Sequence, residues 1–234
     1  FGTPLLVLSL EQIEKNYRFL KKHLPRVQLY YAIKANPHQR ILELLRDLGS
    51  CFDVASDGEI RTLAAMGIDG ATVLLRIRID NSSAHVDLNK KFGVGRERAV
   101  ELLQAAQAAG LDAAGVCFHV GSQTMSADPY LNALDLAREI FEEAAAAGMQ
   151  LRILDIGGGF PIPEPKVRFN LKEMLKQINA RLDEDFPNVE IWAEPGRFMC
   201  GTAVNLITSV IGVTERGGQP WYFLDDGLYG TFSG

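Results

Sequence analysis

The chain has 234 residues, 47% of them hydrophobic, and a formal net charge of −5. That length carries a sizeable core, as one large α/β domain or two small ones. The mild acidity without any Lys/Arg block excludes a nucleic-acid footprint, no apolar run reaches membrane-spanning length, and three far-apart cysteines (Cys51, Cys117, Cys200) with no metal-type Cys/His spacing read as reduced core residues of a cytoplasmic protein.

Thr3 to Leu8 is a short apolar lead-in, without the basic start and long apolar core of a secretory signal. Ser9-x-x-Gln12 has the form of a capping box, and Ile13, Tyr17, Leu20 and Leu24 follow at helical spacing up to Pro25. Gln28 to Asn36, QLYYAIKAN, reads as a buried strand with Lys34 at its C-terminal end. Asn36 is expected to cap the next helix and Pro37 to take its first position, with Ile41, Leu44, Leu45 and Leu48 buried and Gly49 closing it. Cys51 to Ala55 is a strand with Asp53 inside it. Ser56 to Glu59 is a second capping box, opening a helix through Leu63, Ala64 and Met66 to Gly67. Thr72 to Ile79 is a strand carrying Arg76, and a polar loop leads from it to a helix over Glu97 to Ala109. Ala114 to Val120 is a strand running into FHVGSQ, with His119 and Ser122. A long helix starts at Asp128-Pro129 and closes at Gly148. Leu151 to Ile156 is a strand running into Gly157, Gly158 and Gly159. Asn170 caps a helix through Leu182, and Val189 to Ala193 is a strand running into Glu194-Pro195-Gly196-Arg197. The alternation then stops: Ala203 to Val213 and Trp221 to Asp226 read as strands with no helix between them.

Strands alternating with helices, each strand a continuous apolar run, predict an α/β fold with a parallel sheet covered by helices. The distinctive polar residues fall at strand C-terminal ends around the whole sheet. That distribution favours a (β/α)8-type barrel over a doubly wound sheet, whose ligands gather at one switch point. A lysine at the end of an apolar strand is costly to bury unless paired or used, and a desolvated amine is a nucleophile for carbonyl carbon. The plainer alternative is a lysine whose stem packs and whose head reaches water. The triple glycine suits close backbone approach to an anion, or a tight turn. Arg197 suits a phosphate, or the surface. Glu194 suits a ring nitrogen, or a loop salt bridge. His119 suits stacking or proton transfer, or a satisfied core position. Asp53 suits pairing with Lys34, or local capping. Together these parts describe an imine-forming lysine, a phosphate cup and an acid for a pyridine nitrogen, which is a pyridoxal phosphate site.

The segments YYAIKANP, FDVASDGEI, FHVGSQ, LDIGGGFP, AEPGRF and FLDDGLYGTF occur in one order over nearly the whole chain. As a set they resemble the alanine-racemase-like (fold type III) amino acid decarboxylases, nearest to the ornithine/lysine group. The resemblance implies that Lys34 carries the cofactor and that His119 stacks on its ring. It implies that Glu194 keeps the ring nitrogen protonated. Gly157, Gly158, Gly159, Ser122, Gly196 and Arg197 would hold the phosphate, and Asp53 and Arg76 would line the Lys34 side. It further implies decarboxylation of ornithine and/or lysine to a diamine in polyamine biosynthesis, by a cytoplasmic homodimer with shared active sites. The alternatives are diaminopimelate or arginine decarboxylation, a racemase on the same barrel, and a non-catalytic decarboxylase-like binding protein. The chain departs from the family pattern twice. Only six barrel strands are counted, with two strand–helix units expected between Gly70 and Thr72, and the C-terminal β domain stops short after DDGLYGTF. The expected division is a barrel portion over 1–202 and the start of a β domain over 203–234, and this chain alone is not expected to turn over substrate.

Overall fold

The computed structural model describes residues 1–53, 59, 62–63, 65–67, 73–79, 93–108, 112–163 and 169–232. The chain opens with β1 (Leu5–Leu8) and α1 (Leu10–His23). Ser9 caps α1, its hydroxyl accepting the Gln12 N–H at 3.2 Å, but the Gln12 side chain turns forward to Asn16 and leaves the box half made. β2 (Val27–Ala32) then delivers a 3-10 turn over Ile33–Ala35. Asn36 does not cap the next helix, as the sequence suggested. It accepts the His38 N–H at 3.1 Å in a tight turn, and His38 caps α2 (Gln39–Asp47), placing Pro37 outside the helix. The buried face of α2 is Ile41, Leu42 and Leu45, one position round from the expected one. The box at Ser56–Glu59 and the junction between Gly70 and Thr72 lie outside the described residues.

The remaining sheet strands are β3 (Cys51–Asp53), β4 (Val73–Arg76), β5 (Ala113–Cys117), β6 (Ile153–Asp155) and β7 (Glu190–Ala193). α3 (Ala99–Ala108), α4 (Asp128–Ala146), α5 (Leu171–Asp185) and the short α6 (Arg197–Cys200) complete the helices. The six strands are parallel in the order β3-β2-β7-β6-β5-β4. This order decides the architecture. The last strand of the alternation, β7, pairs with the first, β2, through Val27↔Ile191 to Leu29↔Ala193. That is the closing contact of a barrel. β3 and β4, consecutive in the described chain, sit at opposite ends of the sheet. The sheet is therefore a (β/α)8-type barrel with six strands among the described residues.

Two cores result. Side chains facing the helices form the larger one, with Leu29, Tyr31, Val116, Leu154 and Ile191 from four strands. Side chains facing the barrel interior form a small one of Ala114, Ile153 and Trp192, with Tyr30 and Leu74 only partly buried against it. Tyr30 and Trp192 stack with ring centroids 4.2 Å apart.

The run expected as one strand over Ala203–Val213 is two. β8 (Val204–Ile207) pairs antiparallel with β1, and β9 (Val210–Arg216) forms a hairpin with β10 (Gln219–Leu224). The break falls at Ser209, whose N–H is taken by the Asp225 carboxylate at 2.9 Å. Asn16, buried in α1, donates to Phe198 O and Met199 O at 3.2 and 2.9 Å, which fixes α6 and the Glu194–Arg197 turn against the barrel. Among the described residues no helix is long and apolar enough to cross a membrane.

Candidate active site

β2 ends at Ala32, opposite Asp53 of β3, and the 3-10 turn lifts Lys34 over the strand ends. The Lys34 side chain is 56% exposed, with Nζ 3.4 Å from Asp53 Oδ2. The desolvation expected from its place after an apolar strand is not found, because the turn carries the side chain out of the sheet layer. Asp53 pairs with Lys34, and the residues it could cap locally lie outside the described ones.

His119 follows β5, and its Nδ1 accepts the Gly121 N–H at 3.0 Å. Burial, then the Arg76 and Lys34 cations, push the imidazole down to about 4. His119 is thus a neutral, oriented ring at neutral pH. The three glycines after β6 do different things. Gly157 has φ +67°, and a Cβ there would collide with Phe118 O. Its N–H is spent on Asp155 Oδ1 at 2.8 Å, so it shapes the turn. At Gly158 a Cβ would lie 2.7 Å from Glu194 O and 3.1 Å from His119 Nε2, in the space a flat ligand would use.

Glu194 follows β7, its N–H donating to Gly157 O at 2.8 Å. Burial first, then the Asp155 and Asp53 carboxylates, push its carboxyl far above the ordinary range. Burial also pushes Asp155 up, countered by the hydrogen bonds it accepts from Gly157 and Glu194. Both carboxyls are thus raised, Glu194 the further.

One cavity is lined by Lys34, His119, Ser122, Gly158, Gly159, Glu194, Gly196 and Arg197, with Ala32, Ala35, Phe160, Pro195 and Phe198 as its apolar wall. Eight of the eleven residues singled out from the sequence therefore meet there. The other three stand behind it: Asp53 through Lys34, Arg76 through its charge on His119 and Asp155, and Gly157 through the turn. Sequence reasoning missed Asp155, which is 3% exposed. Its signal was an acid between Leu154 and Ile156 in an apolar run, the same signal that marked Asp53.

The donor set fits pyridoxal 5′-phosphate. Its cavity holds an amine of the kind that takes a carbonyl, a serine, an arginine and glycines of the kind that take a phosphate, an imidazole that could offer a plane, and a carboxyl that could serve a ring nitrogen. The signature of the pyridoxal-binding domain of pyridoxal-dependent decarboxylases matches residues 10–72 and 68–201, two segments that meet at the short-cut junction. The lysine/ornithine decarboxylase of Selenomonas ruminantium is 48% identical over 276 aligned positions, covering 99% of this chain and 70% of that protein. SrLDC in complex with PLP and cadaverine superposes with a TM-score of 0.92 at 45% identity, over 100% of this chain and 71% of that one. The lysine/ornithine decarboxylase of Vibrio vulnificus complexed with cadaverine gives a TM-score of 0.89 at 33% identity, over 100% of this chain and 74% of that one. The chain belongs to the pyridoxal-dependent decarboxylases, whose cofactor is pyridoxal 5′-phosphate.

Proposed function

We propose that the protein decarboxylates a basic L-amino acid, ornithine and/or lysine, to the corresponding diamine, as a step toward polyamines. The observation that carries this reading is the convergence of Lys34, His119, Glu194 and Arg197 on one cavity. The substrate class follows the names of the relatives, a lysine/ornithine decarboxylase and structures holding cadaverine.

When bound, the cofactor supplies an electron sink for the charge left at Cα as carbon dioxide departs. Everything else falls to this chain's own residues. Lys34, with Asp53 Oδ2 3.4 Å from its Nζ, would be the amine that holds the cofactor's carbonyl carbon. Glu194 would hold a proton for the ring nitrogen. His119, fixed by the Gly121 N–H, would offer its plane to the ring. Ser122, Gly158, Gly159, Gly196 and Arg197 hold the phosphate, and Phe160 and Phe198 keep water from the apolar wall. The division into a cofactor-holding portion over 1–202 and a β portion over 203–234 belongs to the same reading.

The test is a substrate panel. Cofactor-loaded protein is given lysine, ornithine, arginine or diaminopimelate, and carbon dioxide and amine products are measured. Turnover by this chain alone is expected to be weak, and the product that does form is expected to be cadaverine or putrescine. Agmatine as the main product, or racemised substrate with no carbon dioxide, would overturn the reading.

A further inference from the structure

Each carbonyl of the glycine turn after β6 is taken by a donor of the protein. Glu194 N–H donates to Gly157 O at 2.8 Å, and Thr124 N–H donates to Gly159 O at 3.0 Å. The Tyr130 hydroxyl donates to Gly158 O at 2.9 Å. The first two bonds come from the backbone, which almost any residue at those positions would supply. The third depends on one side chain. Tyr130 lies in the first turn of α4, fully buried in the helix-facing core, and its ring stacks on Phe160 with centroids 5.5 Å apart. It therefore reaches the cavity wall from behind, through a residue that lines it. The Gly158–Gly159 peptide is trans, so its C=O and N–H point in opposite directions across one rigid plane. Drawing Gly158 O toward α4 turns the Gly159 N–H the other way, and Gly159 lines the cavity together with Ser122 and Arg197. The plane lies between two residues without a Cβ, so side-chain sterics do little to hold its orientation. The hydroxyl supplies that restraint.

We propose that Tyr130 is a positioning residue for the phosphate subsite: its hydroxyl sets the Gly158–Gly159 peptide plane so that the Gly159 N–H is presented to a phosphate. This deepens the decarboxylase reading and rests on it for the identity of the phosphate-bearing ligand. A purely structural Tyr130 would only fill the core and stack on Phe160. Y130F separates the two roles, because it keeps the ring and its stacking and removes the hydroxyl alone.

The experiment measures the affinity of wild type and Y130F for pyridoxal 5′-phosphate and for pyridoxal, the same aldehyde without the phosphate. Y130F should bind pyridoxal 5′-phosphate about five- to tenfold more weakly, the equivalent of one neutral hydrogen bond, and pyridoxal within about twofold of wild type. Equal losses for both ligands, or a loss for neither, would overturn the proposal while leaving the decarboxylase reading intact. A wild type that does not distinguish the two ligands would overturn the phosphate cup, and with it both that reading and this proposal. Should Y130F fail to fold, the wild-type chain decides, labelled with ¹⁵N-glycine and titrated with inorganic phosphate. The Gly159 amide resonance should move, with Gly157, whose N–H is held by Asp155, as the internal control. A Gly159 resonance that stays in place at saturating phosphate would overturn the proposal.

Discussion

The two faces of the same sheet are built to different standards. The face toward the helices is closed: Leu29, Tyr31, Val116, Leu154 and Ile191 are all 1% exposed or less. The face toward the barrel axis is thin. Ala114, Ile153 and Trp192 are buried, while Tyr30 and Leu74 stay partly open. The outer face needs only one helix per strand, and each described strand–helix unit brings its own. The inner face needs strands from all around the ring, and six of eight are present among the described residues. Chain organisation is therefore carried by the outer layer, and the site, which caps the inner layer, rests on the β5-β6-β7-β2 arc that remains contiguous.

This contrast can be broken at three points. In the outer layer, Leu154→Ala should cost about 3 kcal/mol, within the range for a fully buried leucine, read by denaturant unfolding. A cost under about 1 kcal/mol there would mean that the helix-facing layer is not the stabilising one. At the site, E194Q should stabilise the cofactor-free chain by about 1–2 kcal/mol at pH 8. The sign follows from the raised carboxyl: its contribution is full below the ordinary value of 4.5 and lost as pH rises through the folded value. The gain should therefore grow from pH 4.5 upward, measured as the difference in Tm between variant and wild type. In the inner layer, Leu74→Ala should cost less than about 1 kcal/mol, because the side chain already meets solvent. Equal costs for Leu74 and Leu154 would erase the difference between the faces.

The residue pattern made the parallel sheet, the strand count and the place of the short-cut legible. Apolar runs bounded by Gly, Pro and Asn specify parallel strands locally, and strand-end polar residues specify which end is wet. The closure of β7 onto β2 is a long-range pairing with no local signature. The sequence left Lys34 open between a desolvated amine and a head that reaches water, and its exposure agrees with the second, since a 3-10 turn of three residues is invisible in an apolar run. His38 displaced Asn36 as cap because Asn36 was engaged one step earlier, closing its own turn onto the His38 N–H. Asp155 escaped notice because the three glycines beside it drew the reading toward phosphate. The split at Ser209 depends on Asp225, sixteen residues on, which no local pattern announces.

The account's central claim is that this chain assembles a cofactor site around Lys34. The direct measurement is to incubate the protein with pyridoxal 5′-phosphate, reduce with borohydride, digest, and locate the modified lysine by mass spectrometry. The account predicts a single adduct, on Lys34, that disappears in K34A. Adducts scattered over surface lysines, or none at Lys34, would contradict it.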